Sequence, residues 1–198
     1  ATSQEKELEF RYSTPDSINV ITKKITFYPN SYKMNHEYII HHLDQGISGL
    51  ELVWKDGLEP VEKDIQSDVI DAVGASIKPI GEGKETLRIK SAGSLDTNQD
   101  NNFSVSQSID WAAVQTKYFI VAILPETNPT SVKMSGKSMD GFGGEDFAQS
   151  YDLQLSYNNQ REIKTLIYLG PLKVDDLSLV DPTLKNAIYW GWGFMQPI

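Results

Sequence analysis

Tyr151-Asp152-Leu153-Gln154-Leu155-Ser156-Tyr157, then Asn158-Asn159, then Ile163-Lys164-Thr165-Leu166-Ile167-Tyr168-Leu169: this stretch settles the fold class. Apolar residues fall at every second position of its first half. A period of two belongs to strands, whose successive side chains point to opposite faces. The paired asparagines supply turn chemistry, so the two halves are expected to form an antiparallel hairpin.

The same grammar runs upstream. Ala1 to Glu7 is polar and expected to fray, and Leu8 to Tyr12 alternates before the turn Thr14-Pro15-Asp16-Ser17. Ile18 to Tyr28 is a strong strand closed by Pro29-Asn30-Ser31, with Tyr32 to Leu43 as its hairpin partner. Leu50 to Trp54 alternates and stops at Lys55-Asp56-Gly57, an Asp-Gly turn step. Val73 to Lys78 is expected to pair with Glu85 to Lys90 around Pro79, Gly81 and Gly83. Ser91 to Asn102 reads as a polar surface loop and Lys133 to Phe147 as a mobile, glycine-rich one. Ile109 to Leu124 passes from polar-spaced into continuous apolar sequence, and its second half reads as a central strand covered on both faces.

Helical periodicity occurs once. From Val174 to Ile188, the residues Leu177, Val180, Leu184 and Ile188 recur at helical spacing, suited to packing a helix on a sheet, with Pro182 marking a break or second start. The expected fold is all-β: a twisted two-sheet antiparallel sandwich over residues 1–171. Residues 172–198 then add a short C-terminal helical segment and an aromatic tail to the same domain.

Composition excludes several functions. With 198 residues, 39% of them hydrophobic, the chain can bury a core. A net charge of −9 argues against a sequence-independent grip on nucleic acid. The absence of cysteine removes disulfides, thiol catalysis and thiolate metal sites. The longest apolar run, Phe119 to Leu124, falls far short of the ~20 residues that span a bilayer.

No catalytic, cofactor or metal site is expected. Gly136-Lys137-Ser138 resembles the end of a phosphate-binding loop, but Ser131 stands where that motif needs its first glycine. His36 and His42 share one side of a strand and His41 takes the other, so the three do not form a ligand set. Glu59, Glu62, Asp64, Asp68 and Asp71 lack calcium-loop spacing and read as a solvated acidic face.

The C-terminal tail is distinct. Two of the four tryptophans lie in the last nine residues, where Tyr189, Trp190, Trp192 and Phe194 form a cluster suited to the headgroup level of a bilayer or to folding back into the core.

Four phrases in order carry a resemblance: Thr22-Lys23-Lys24-Ile25-Thr26-Phe27 followed by Pro29-Asn30-Ser31-Tyr32; Trp111 through Lys117-Tyr118-Phe119 to Pro125; Tyr168-Leu169-Gly170-Pro171; and Tyr189-Trp190-Gly191-Trp192-Gly193-Phe194. Together they resemble the large periplasmic domain of the YidC family of membrane protein insertases. Trp190 departs from the family's closing phrase, standing between its tyrosine and glycine, and a "gly-gly-x-ile" phrase expected near the start is not found.

The resemblance implies a mutarotase-like supersandwich on the periplasmic side of a bacterial inner membrane. Flanking membrane helices outside this chain would anchor it. Its partners would be Sec translocon components and nascent membrane proteins, and it would have no catalysis of its own. It also implies continuation past Ile198 into an apolar stretch of roughly 20 residues. In this reading Tyr168, Gly170 and Pro171 are family-motif residues, and Tyr189, Trp190, Trp192 and Phe194 are membrane-proximal. The rival is a sugar-binding or mutarotase-like sandwich with His36 or His42 and an acid, Glu37 or Glu51, facing one sugar ring.

Overall fold

The structure, a computed structural model, describes residues 4–16, 19–42, 44, 46, 48–58, 74–81, 86–89, 101–139 and 148–188. Its strands are β1 (Lys6–Ser13), β2 (Val20–Phe27), β3 (Lys33–His42), β4 (Gly49–Trp54), β5 (Gly74–Pro79), β6 (Leu87–Ile89), β7 (Asn101–Val105), β8 (Ile109–Gln115), β9 (Phe119–Pro125), β10 (Ser131–Met139), β11 (Ala148–Asn158) and β12 (Glu162–Pro171). All pair antiparallel in two sheets. The larger runs β1-β2-β3-β12-β9-β8-β5-β6 and the smaller β4-β11-β10-β7. A single α-helical turn, α1 (Val174–Ser178), and a 3-10 turn, η1 (Leu184–Ala187), follow. This is the all-β, two-sheet class with a short C-terminal helical segment that the alternation implied.

The β2–β3 hairpin forms as read. Asn30 makes its tight return with φ of 53°, a left-handed conformation that asparagine tolerates. β5 also pairs with β6, Ala75 opposite Ile89.

The expected hairpin of Tyr151–Tyr157 with Ile163–Leu169 does not form. β11 pairs with β4 and β10 in the small sheet, whereas β12 pairs with β3 and β9 in the large one. The Asn158-Asn159 corner carries the chain between layers. Asn159 sits at φ 57° and donates its N–H to the Ser48 carbonyl at 3.0 Å. Alternation specifies which face is buried, and that pattern is the same whether the next strand lies beside or across the core.

Three stretches expected to be irregular contribute strands. Ser131–Met139 is β10, between β11 and β7, although Lys133 to Phe147 reads as a glycine-rich loop; 140–147 lies outside the described residues. β7 begins at Asn101, inside the expected loop, and 91–100 is likewise outside. β1 begins at Lys6, within the segment expected to fray. Ile109 to Leu124 is two strands, β8 and β9, folded at Thr116, whose N–H donates to the Phe119 carbonyl at 2.8 Å.

The helical stretch expected over Val174 to Ile188, with a break or second start at Pro182, is α1 followed by η1, with the break at that proline. Pro182 has no N–H to continue a helical ladder. Asp181 turns the chain instead, its Oδ1 accepting the Thr183 N–H at 2.7 Å and hydroxyl at 2.6 Å.

Two apolar cores result. One fills the sandwich, with Ile77, Ile123, Met134, Leu153, Leu155 and Ile167 among its members. The other lies on the outer face of the large sheet, where Leu177, Leu184 and Ile188 cover Trp111, Ile120 and Tyr168. Strands β8, β9 and β12 are therefore buried on both faces, which explains the unbroken apolar run of β9.

Candidate functional site

β12 ends in Tyr168-Leu169-Gly170-Pro171, and the geometry there accounts for each residue. The Tyr168 ring is buried in the outer core, and its hydroxyl donates to the Pro171 carbonyl at 2.9 Å. Burial, assisted by Asp176 and Tyr32, pushes this phenol up to about 12, so it remains a protonated donor. Tyr32 meets Tyr168 edge to face, with centroids 6.1 Å apart. A Cβ on Gly170 would lie 2.7 Å from Tyr32 Cγ and 2.9 Å from the Tyr168 oxygen, so the corner closes only around glycine.

The chain then crosses the outer face. Leu177, Leu184 and Ile188 are buried there, and Val180 packs half-buried against the same cluster. The fully buried Trp111 donates its indole N–H to Thr183 Oγ1 at 3.0 Å, and that hydroxyl donates to Asp181. Sequence gave no sign of this tie, which joins residues 72 apart in the chain. Tyr189, Trp190, Trp192 and Phe194 lie outside the described residues, immediately beyond Ile188.

A second polar group marks the seam of the sandwich. His36, Tyr38 and Ile40 face the interior from β3, with Lys23 beside them on β2 opposite Tyr38. His36 Nδ1 lies 3.4 Å from the Tyr38 hydroxyl, and Lys23 Nζ stands 5.4 Å from the Tyr38 ring centre. Burial, then the charge of Lys23, lowers His36 to about 4, so its imidazole is neutral near pH 7. Burial raises Tyr38 to about 12 and lowers Lys23.

Glu37 projects from the opposite face of β3, where its carboxylate meets Lys164 at 3.3 Å. Cross-strand register lines up Glu9, Lys24, Glu37 and Lys164 on four neighbouring strands, an alternating row of charge. It borders a cleft of about 280 Å³ whose lining includes Lys24, Glu37, Glu126 and Lys164 and also His36 and Thr165, which alternate to the other face of their strands. Its lysines are already paired, Lys24 with Glu9 at 3.6 Å and Lys164 with Glu37 at 3.3 Å and Glu162 at 2.6 Å.

The sugar-site pairs are not assembled. His36 and Glu37 face opposite sides of the large sheet, His42 is exposed at the end of β3, and Glu51 is exposed on β4 in the other sheet. Among the described residues no three acids or histidines gather as a metal site.

The third feature is the open flank. The large sheet is wider than the small one, and β1 is exposed along its whole length. Leu8, Phe10 and Tyr12 lie on its interior-facing side, in register with Ile25, Lys23 and Ile21, yet each is at least half exposed. The alternation of Leu8 to Tyr12 was legible; the missing cover was not.

The sequence model of the YidC periplasmic domain matches residues 1–198. Relatives named "Membrane protein insertase YidC" include those of Chlorobium limicola, 26% identical over 85% of this chain and 28% of its own length, and of Chloroherpeton thalassium, 26% identical over 93% and 31%. That of Chlorobaculum tepidum is 23% identical over 91% of this chain and 30% of its own. The chain thus spans under a third of the curated relatives it matches.

Proposed function

This chain belongs to the YidC periplasmic domain family, and from that premise we propose that it acts as a non-catalytic outboard domain of a membrane protein insertase. It stands on the periplasmic side of the inner membrane and assists insertion and folding by touching nascent membrane proteins or Sec translocon components. Residues 1–171 are the sandwich body. Residues 172–198 couple it to the bilayer, where Tyr189, Trp190, Trp192 and Phe194 settle at headgroup level.

One observation carries this reading. The segment leading into the aromatic tail is fastened to the sheet: Ile188 is buried in the outer core and Thr183 is hydrogen-bonded to Trp111. A tail leaving such a fixed point holds the sandwich in a defined attitude to whatever surface the tail meets. Among the described residues His36 and Glu37 face opposite sides of the large sheet, so that pair is not set for proton transfer between them.

The test is photo-crosslinking in membranes, with benzoylphenylalanine replacing exposed Tyr118 or Tyr12 of the full-length insertase and a translating membrane-protein client present. Adducts to the nascent chain or to a translocon subunit support the reading. No adduct at either position, with client insertion unchanged when the whole domain is deleted, would overturn it.

A further inference from the structure

Among the described residues the small sheet has four strands and the large sheet eight, and the large sheet's flank at β1 is exposed. The order of the small sheet places β4 at an edge, with one side of Gly49–Trp54 unpaired among the described strands. β10 and β11 pack on β5 and β8, and Tyr157, opposite Leu50 of β4, belongs to the same buried cluster as Ile40 of β3, against which Tyr38 packs. The β4 edge therefore lies on the β3 side of the sandwich and looks toward β2 and β1. There the interior-facing surface continues uncovered: Leu8 is 50% and Phe10 53% exposed. A strand edge unpaired among the described strands and an uncovered apolar sheet face on the same side of the sandwich together offer a place for an added strand.

Two further observations bear on the occupant. At the seam, His36 Nε2 and Tyr157 Oη find no hydrogen-bond partner among the described residues, although the two residues are only 8% and 1% exposed. The charges on this face from β1 and β2 are Lys6 and Lys23, both cationic in a chain of net charge −9. Lys23 makes no ion pair among the described residues and rests on the Tyr38 ring instead. Open edges recruit extended chains through main-chain hydrogen bonds, and side-chain pockets on alternate positions supply selectivity.

We propose that this flank receives an extended polypeptide segment, added as a strand to the free edge of β4, its apolar residues at alternate positions covering Leu8 and Phe10 and a carboxylate between them meeting Lys23. The inference deepens the client-contact reading of the domain and rests on it for biological meaning. Its test uses no membrane, so the strand addition and the insertase role fail separately.

The probe is a fluorescein-labelled ten-residue peptide of alternating valine and threonine with one glutamate among the valine positions. Its binding to the 198-residue chain is followed by anisotropy, and the amides of Gly49–Trp54 by hydrogen exchange. Expected are saturable binding, slowed exchange in β4, at least a tenfold loss of affinity in Phe10→Ser, and a loss in Lys23→Gln that disappears when the peptide's glutamate is replaced by glutamine. Phe10 is exposed, so its replacement leaves the fold intact, which circular dichroism checks. Absence of saturable binding, binding indifferent to Phe10→Ser, or protection confined to β1 would overturn the proposal.

Discussion

Tyr32 fills the space that a side chain on Gly170 would need: a Cβ there would stand 2.7 Å from Tyr32 Cγ and 2.8 Å from its Cβ. The clash involves the root of the tyrosine rather than its mobile tip, so relief requires the β2–β3 connection itself to move. The glycine of the Tyr-x-Gly-Pro phrase is thus explained by a ring 138 positions earlier in the chain.

Gly170→Ala is expected to destabilise the domain by about 1–3 kcal/mol, the usual cost of overpacking. Gly170→Ala combined with Tyr32→Ala should recover part of that loss. Urea unfolding of the two single variants and the double variant measures the coupling; strictly additive effects would refute the packing explanation.

Thr183→Val leaves the buried Trp111 indole N–H without its acceptor and should cost about 1–3 kcal/mol, whereas Thr183→Ser keeps the hydroxyl and should cost clearly less. Denaturation followed by tryptophan fluorescence compares them. A Thr183→Val variant that loses no more than Thr183→Ser would refute the hydrogen bond as the main contribution at this site.

His36 makes stability depend on pH in a defined direction. Its folded value of about 4 lies below the ordinary 6.5, so between those values the unfolded chain binds more protons. The contribution is complete above about pH 6.5 and is lost as pH falls toward 4. At about 1.36 kcal/mol per unit it amounts to no more than roughly 3.5 kcal/mol. Carboxylates also titrate toward the acid end, so the readout is the difference between the parent and His36→Gln across that range. Parallel stability curves would show that His36 contributes nothing.

Glu37→Lys would set three cations side by side across β2, β3 and β12 and should destabilise by around 1 kcal/mol at low salt. In about 1 M salt, where the Debye length is roughly 3 Å, most of that penalty should vanish. A penalty unchanged by salt would point to packing instead of charge.

The seam and the open flank stand differently toward the sequence. Leu8, Phe10 and Tyr12 announce a strand with one apolar face, because alternation is a local property of the chain. Nothing local reveals that the partner layer ends at β4, since that depends on how many strands each sheet recruits. The same holds for His36 and Glu37, adjacent in sequence and therefore on opposite faces; only the structure identifies which of the two faces is the interior.

From its residue order alone the chain fixed its all-β class, most strand positions, the β2–β3 and β5–β6 hairpins, and the corner phrase at Tyr168 to Pro171. Those follow from side-chain periodicity and turn chemistry, which act over a few residues. The break at Pro182 was legible as well, whereas only the tertiary structure decided that β11 and β12 part into different sheets and that Ser131–Met139 is a strand. In each case contacts far along the chain outweighed the local preference, because a strand's pattern names the face it buries and leaves its neighbour to be chosen by the packing of the whole.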